Sequence, residues 1–198
     1  KNRIRDAIKI GATPRIDGIY SKKDCDGMGL LSAEESDLHT TVFVSHLHLD
    51  HMSCIGMLDK SVDVYMNPSA QCLLRALEET GEGVGYQFEN VHDFEAEKPI
   101  QIGAFTITPI LAKSSSFKDF SFLIKTPDGT IHYTGDLILH HLESENTWHE
   151  MELVKQAKPD ILLCDATAFM DSVLSLMIPD CDPKKIKAKV MDIVKASF

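Results

Sequence analysis

Long apolar runs are missing from this 198-residue sequence. No stretch approaches the roughly 20 apolar residues of a membrane-spanning helix, and the opening Lys1-Asn2-Arg3-Ile4-Arg5-Asp6 lacks the apolar core of a secretory signal. Basic residues are scarce: 20 Lys and Arg stand against 30 Asp and Glu, a formal charge of −10. A surface that grips nucleic acid by broad phosphate neutralisation is therefore not expected, although a local basic patch can exist within such a field. The five cysteines, Cys25, Cys54, Cys72, Cys164 and Cys181, are odd in number and contain no Cys-x-x-Cys pair. That argues against a disulfide framework or a thiolate zinc site, and for a reducing, cytoplasmic setting. Internal repeats and low-complexity segments are absent as well.

What is present is an ordinary globular composition, 43% hydrophobic and 25% charged, at a length that suits one domain of about 100–200 residues. Its anomaly is histidine: nine in all, with His39, His46, His48 and His51 inside thirteen residues. A short helix opens the chain, followed by loop rich in Gly and Pro. The run Thr40 to Val44 reads as a buried strand and Val62 to Met66 as a second. Pro68-Ser69 caps a helix from about Ala70 to Glu79, and residues 81–85 form a loop. Beyond Phe88 short strands follow at Ile100–Ile102, Phe105–Leu111, Ser121–Lys125 and Thr130–Thr134, the last two joined by the turn Thr126-Pro127-Asp128-Gly129. Trp148 to Ala157 is helical, and Asp160 to Cys164 is a further buried strand. A helix from Pro183 to Ala196 carries five lysines and one acid. Hairpins interleaved with helices predict an α/β sandwich and not a doubly wound parallel sheet.

The chemistry concentrates in Ser45-His46-Leu47-His48-Leu49-Asp50-His51, placed after a strand and before a helix. By chance such a His-x-His-x-Asp-His string occurs in about one or two in a thousand chains of this size, so it is a strong signal. Two histidines one residue apart point the same way from extended backbone and can share an ion. Asp50 and His51, at the turn into the helix, can reach a neighbouring position. Imidazole with carboxylate suits zinc, with manganese or iron as alternatives, and two adjacent ions can clamp a hydroxide. Leu47 and Leu49 are expected to pack inward between the polar residues. His132 is expected on a solvent face, and His39, His92 and His149 as surface or cap residues.

The segment SHLHLDHM after its strand resembles the signature of metallo-β-lactamase-fold hydrolases, and FSFLIKTPDGTIHYTGDLILHH at 120–141 is similar to the family's hairpin ending in an aspartate. The likeness covers about residues 40–167 and is greatest to the ribonuclease-J-like and β-CASP branch. It implies an αββα sandwich, incomplete at both ends, over residues 1–170, with 171–198 as a helical extension or the start of an inserted domain. It implies Asp136 as the ligand bridging two ions, alongside His46, His48, Asp50 and His51. A third family histidine aligns with Ser114, next to Lys113, and no histidine follows His149. Ser114, His140, His141 and Asp165 are candidates for supporting the metal or contacting substrate.

Two functions follow as expectations. One is a hydrolase holding one or two zinc ions, in which a metal-bound hydroxide attacks a phosphodiester, ester or amide while Asp50 orients it or takes its proton. Its substrate is a small molecule or a phosphodiester, with RNA a candidate that the branch favours and the charge of −10 disfavours. The other is a weakened or inactive relative that binds or scaffolds, motivated by Ser114. No membrane partner is expected, and self-association stays open.

Overall fold

In this computed structural model the described residues are 3–113, 118–136 and 145–165. Ser114, His140, His141 and the lysine-bearing segment from Pro183 for which a helix is expected lie outside them. The chain divides into two compact units, Lys1–Phe94 and Glu95–Phe198.

The first unit opens with helices α1 (Arg3–Lys9) and α2 (Lys22–Cys25) and continues through β1 (Thr41–Phe43), α3 (Leu49–Met52), a 3-10 turn at Ile55–Met57, β2 (Asp63–Met66), α4 (Pro68–Thr80) and β3 (Val91–Asp93). Strands β1, β2 and β3 form a parallel sheet in that order, with Phe43 opposite Tyr65 and Tyr65 opposite His92. Period-two alternation divides its faces. Val44, Val64 and Met66 pack with Met52, Ile55, Ala70 and Leu74 beneath the helices, each large side chain contributing about 1.5–3 kcal/mol by burial. The other face carries Phe43, Tyr65 and His92, whose rings stack at 4.7 and 4.8 Å.

Helix α4 starts two residues ahead of the expected Ala70. Asn67 caps it by accepting from Ser69 N at 3.1 Å, Pro68 occupies the first turn, and Gly81 ends it at φ +80°. The following loop is held by Glu78, whose Oε1 accepts from the backbone N–H groups of Val84, Gly85 and Tyr86 at 2.9, 3.0 and 3.0 Å. That loop approaches the 3-10 turn so closely that a Cβ at Gly56 would lie 2.0 Å from the Val84 carbonyl oxygen. Only glycine fits there. Ahead of β1, Ile8, Ile19, Tyr20, Cys25 and Met28 make a small separate core.

The second unit holds β4 (Ile100–Ile102), β5 (Phe105–Lys113), β6 (Asp119–Thr126), β7 (Gly129–Tyr133), α5 (Glu145–Ala157) and β8 (Ile161–Leu163). The strands pair in the order β4-β5-β6-β7-β8, antiparallel except for the parallel β7–β8 pair. The β6–β7 hairpin turns through the expected Thr126–Gly129 segment, with Thr126 Oγ1 accepting from Asp128 N and Gly129 N at 3.1 Å. Helix α5 covers Ile110 and Leu123 with Val154 and Leu153. Among the described residues no helix is long and apolar enough to cross a membrane.

Several expectations are corrected. The strand near Asp160–Cys164 exists, but Ile161 and Leu163 are half exposed, because β8 borders the described sheet. β3 and α2 escaped notice, since Val91–Asp93 and Lys22–Cys25 are too short for a periodic signal. His132 is not on a solvent face: it is 5% exposed, beneath α5, with Glu150 Oε1 at 3.4 Å. Leu49 does not pack inward and is 64% exposed. Alternation stops where α3 begins, and the inward role passes to Met52.

Candidate metal centre

The residues between β1 and α3 adopt their geometry for local reasons. Val44 N donates to Tyr65 O at 3.0 Å, holding the chain extended as it leaves the sheet. His46, Leu47 and His48 continue that direction, so the two histidines share one side while Leu47 packs on the core. At His48, φ −66° and ψ 143° mark the last extended residue, and its carbonyl accepts from His51 N and Met52 N, both at 3.0 Å. Buried Met52 fastens the single turn of α3, and that turn brings His51 back toward His46.

Three imidazoles therefore converge. His46 Nε2 and His48 Nδ1 are 2.9 Å apart, and the His46 and His51 ring centroids 4.2 Å apart. His46 is 2% exposed, whereas the Asp50 side chain is 68% exposed with Oδ2 3.5 Å from His51 Nε2. On the far side of the His46 ring, Nδ1 lies 3.1 Å from Ser45 Oγ. A proton on Nδ1 donated to that hydroxyl leaves the Nε2 lone pair facing His48, the tautomer a metal ligand needs.

This donor set fits a divalent ion. Two nitrogens on one tetrahedral ion at about 2.0–2.1 Å stand about 3.3 Å apart. The 2.9 Å gap therefore needs to open only slightly, within the reach of the less buried His48. The ligand atoms of Asp50 and His51 lie within 4.8 Å of each other, so this pair can serve a second ion.

Asp136, in the other unit, follows β7 through Thr134 and Gly135. Gly135 has φ +60°, a conformation that costs any other L-residue. Asp165, just past β8, uses its backbone N–H to donate to Thr134 Oγ1 at 3.2 Å. Lys113 ends β5 and Ser114 falls outside the described residues, as do His140 and His141.

Sequence reasoning missed a second histidine cluster. Asp63 accepts at 2.7 Å from His39 Nε2 through one carboxylate oxygen and at 2.7 Å from His92 Nε2 through the other. His39 and His92 are thus more than surface or cap residues. Burial pushes the Asp63 carboxyl up, but the hydrogen bonds and charges of His92 and His39 outweigh it and hold it below the usual carboxylate range. Separations of 24 and 29 residues left no pattern by which to find it.

Comparison with known proteins bears on this geometry. A family model described as a Beta-lactamase superfamily domain matches residues 31–195. Among solved structures, the chain is similar to a protein of unknown function from Enterococcus faecalis V583, at 28% identity and a TM-score of 0.64 over 78% of this chain. The match spans 38% of that protein's length. It is also similar to the metallo-beta-lactamase GOB-18 from Elizabethkingia meningoseptica, at 13% identity and a TM-score of 0.50, covering 89% of this chain and 75% of that one. No curated protein matches.

Proposed function

Because this chain belongs to the beta-lactamase superfamily and has the metallo-β-lactamase fold, we propose that it is a metal-dependent hydrolase whose ions are held by His46, His48, Asp50, His51 and Asp136. The observation that carries this reading is the approach of His46 Nε2 and His48 Nδ1 to 2.9 Å, two ring nitrogens turned to one point, which a cation can take in place of the proton they share. Zinc is the ion we assign first, since imidazole nitrogen with carboxylate oxygen is its ordinary ligand set. Asp136 is assigned by the family resemblance of the Thr134-Gly135-Asp136 segment.

A bound divalent ion would supply Lewis acidity and water activated near neutral pH. The protein's own residues do the rest. Ser45 Oγ, 3.1 Å from His46 Nδ1, can accept the Nδ1 proton and so leave Nε2 to a metal, and burial of His46 keeps that ring in one orientation. Asp50, the most exposed carboxylate of the set, is reachable by an incoming substrate and is the group we assign to orienting the attacking water or accepting its proton. The substrate we assign is a phosphodiester, RNA among the candidates, with a carboxylic ester or amide as the second class. Residues 1–170 form the metal-site domain in this reading and 171–198 an extension. A reducing, cytoplasmic setting is supported by the free thiols of Cys25, Cys54, Cys72 and Cys164.

The test is elemental analysis of protein purified without chelators or a histidine tag, beside hydrolysis of bis(p-nitrophenyl) phosphate, RNA and simple esters. The expected result is about one or two ions per chain, lost together with hydrolysis in the double variant His46→Ala, His48→Ala. A parent protein that neither carries nor recruits zinc, manganese or iron would refute the reading.

A further inference from the structure

The turn carrying Asp136 is held by a side chain so far given no role. We propose that Thr134 is a positioning residue for Asp136, its hydroxyl fixing the peptide plane from which that carboxylate projects. The inference rests on Asp136 being a metal ligand, as proposed above.

Thr134 is 5% exposed and sits immediately after β7. Its hydroxyl works in both directions. It donates to the Gly135 carbonyl at 2.8 Å and accepts from the Asp165 backbone N–H at 3.2 Å. Its own backbone N–H donates to Leu163 O at 3.0 Å, extending the β7–β8 pairing by one residue. The Gly135 carbonyl belongs to the planar unit that ends at the Asp136 Cα. Fixing that plane fixes the N–Cα axis of Asp136, the base from which its side chain leaves the backbone.

The restraint is needed because of Gly135. With φ +60°, this residue makes the left-handed bend that ends the strand, and a glycine leaves that bend more conformational freedom than any other residue. A hydrogen bond across the bend, itself tied to β8 through Asp165 N, removes that freedom where a metal ligand must be aimed. Valine would preserve the shape of Thr134 and remove both hydrogen bonds. Serine would keep the hydroxyl and remove only a methyl group.

The experiment is a zinc titration of the whole chain against a chromophoric chelator at fixed pH. It compares the parent with Thr134→Val, Thr134→Ser and Asp136→Asn, the fold of each checked by circular dichroism. Thr134→Val is expected to weaken zinc binding by about 10–100-fold, the usual cost of losing a group that orients a ligand, while Thr134→Ser stays close to the parent. Thr134→Ala supplies a second hydroxyl-free protein should the valine variant not fold. Parent-like affinity in a folded hydroxyl-free variant would overturn the inference. So would an equal loss in Thr134→Ser, which would assign the effect to packing of the methyl group. If Asp136→Asn itself leaves zinc binding unchanged, the assignment of Asp136 as a ligand fails, and this inference fails with it.

Discussion

The parallel sheet of the first unit carries a histidine cluster at each end, and the two solve opposite problems. His39, ahead of β1, and His92, in β3, grip the two oxygens of Asp63 at the start of β2, each at 2.7 Å. Donors meet acceptors and the cluster is complete in itself. After β1, His46, His48 and His51 turn imidazoles toward one another, with nitrogens 2.9 Å apart and the nearest carboxylate of that segment, Asp50, largely in solvent. One proton can join two such nitrogens, and His51 brings a third ring to 4.2 Å from that of His46. A cation can take lone pairs from several rings at once, which is why converging imidazoles in a short loop read as a ligand set, while imidazoles around a carboxylate read as a structural clasp.

The largest effect expected from this difference is the response to metal. Zinc at about a thousand times its dissociation constant stabilises a binding fold by roughly 4 kcal/mol. Thermal unfolding of chelator-stripped protein should therefore shift upward on adding zinc. The shift should vanish in His46→Ala, His48→Ala and persist in Asp63→Asn; a shift surviving the double variant would locate the metal elsewhere.

Next in size is the clasp itself. Asp63→Asn replaces one acceptor by a donor facing a histidine N–H and is expected to lower stability by about 1–2 kcal/mol, a charged hydrogen bond discounted for partial exposure. Urea unfolding measures this, with metal content unchanged; a drop in bound zinc would show that the two ends are not separate.

The clasp also carries a pH signature. Its carboxyl lies below its usual range when folded, so its contribution is fully present above the unfolded value of about 3.9 and is lost as pH falls through the lower folded value. Acid unfolding of the parent should accordingly be steeper below pH 4 than that of Asp63→Asn. Parallel curves would deny Asp63 this role. The smallest effect belongs to His39→Ala, about 0.5 kcal/mol or less, because that side chain is 73% exposed. His92→Ala should cost more, since His92 also stacks on Tyr65 at 4.8 Å.

Legibility followed range along the chain. The string 45–51 announced itself because its members are adjacent and its geometry comes from one strand end and one helical turn. The β6–β7 hairpin was equally plain, its turn chemistry lying in four consecutive residues. The inward role of Leu49 was misjudged because a period-two rule was carried one residue into a helix. His132 was misjudged because a hairpin says which residues share a face but not which face a distant helix will cover.

The sequence by itself determined the mixed α/β class, the order of most elements and the nitrogen donors of the candidate site. All of these depend on neighbours within a few residues, where backbone geometry leaves little choice. Only the tertiary structure decided that Asp63 joins His39 to His92, that Thr134 links the Asp136 turn to the end of β8, and that His132 is buried against Glu150. Those pairings are set by strand order and helix docking, and they exist only once the sheets have formed.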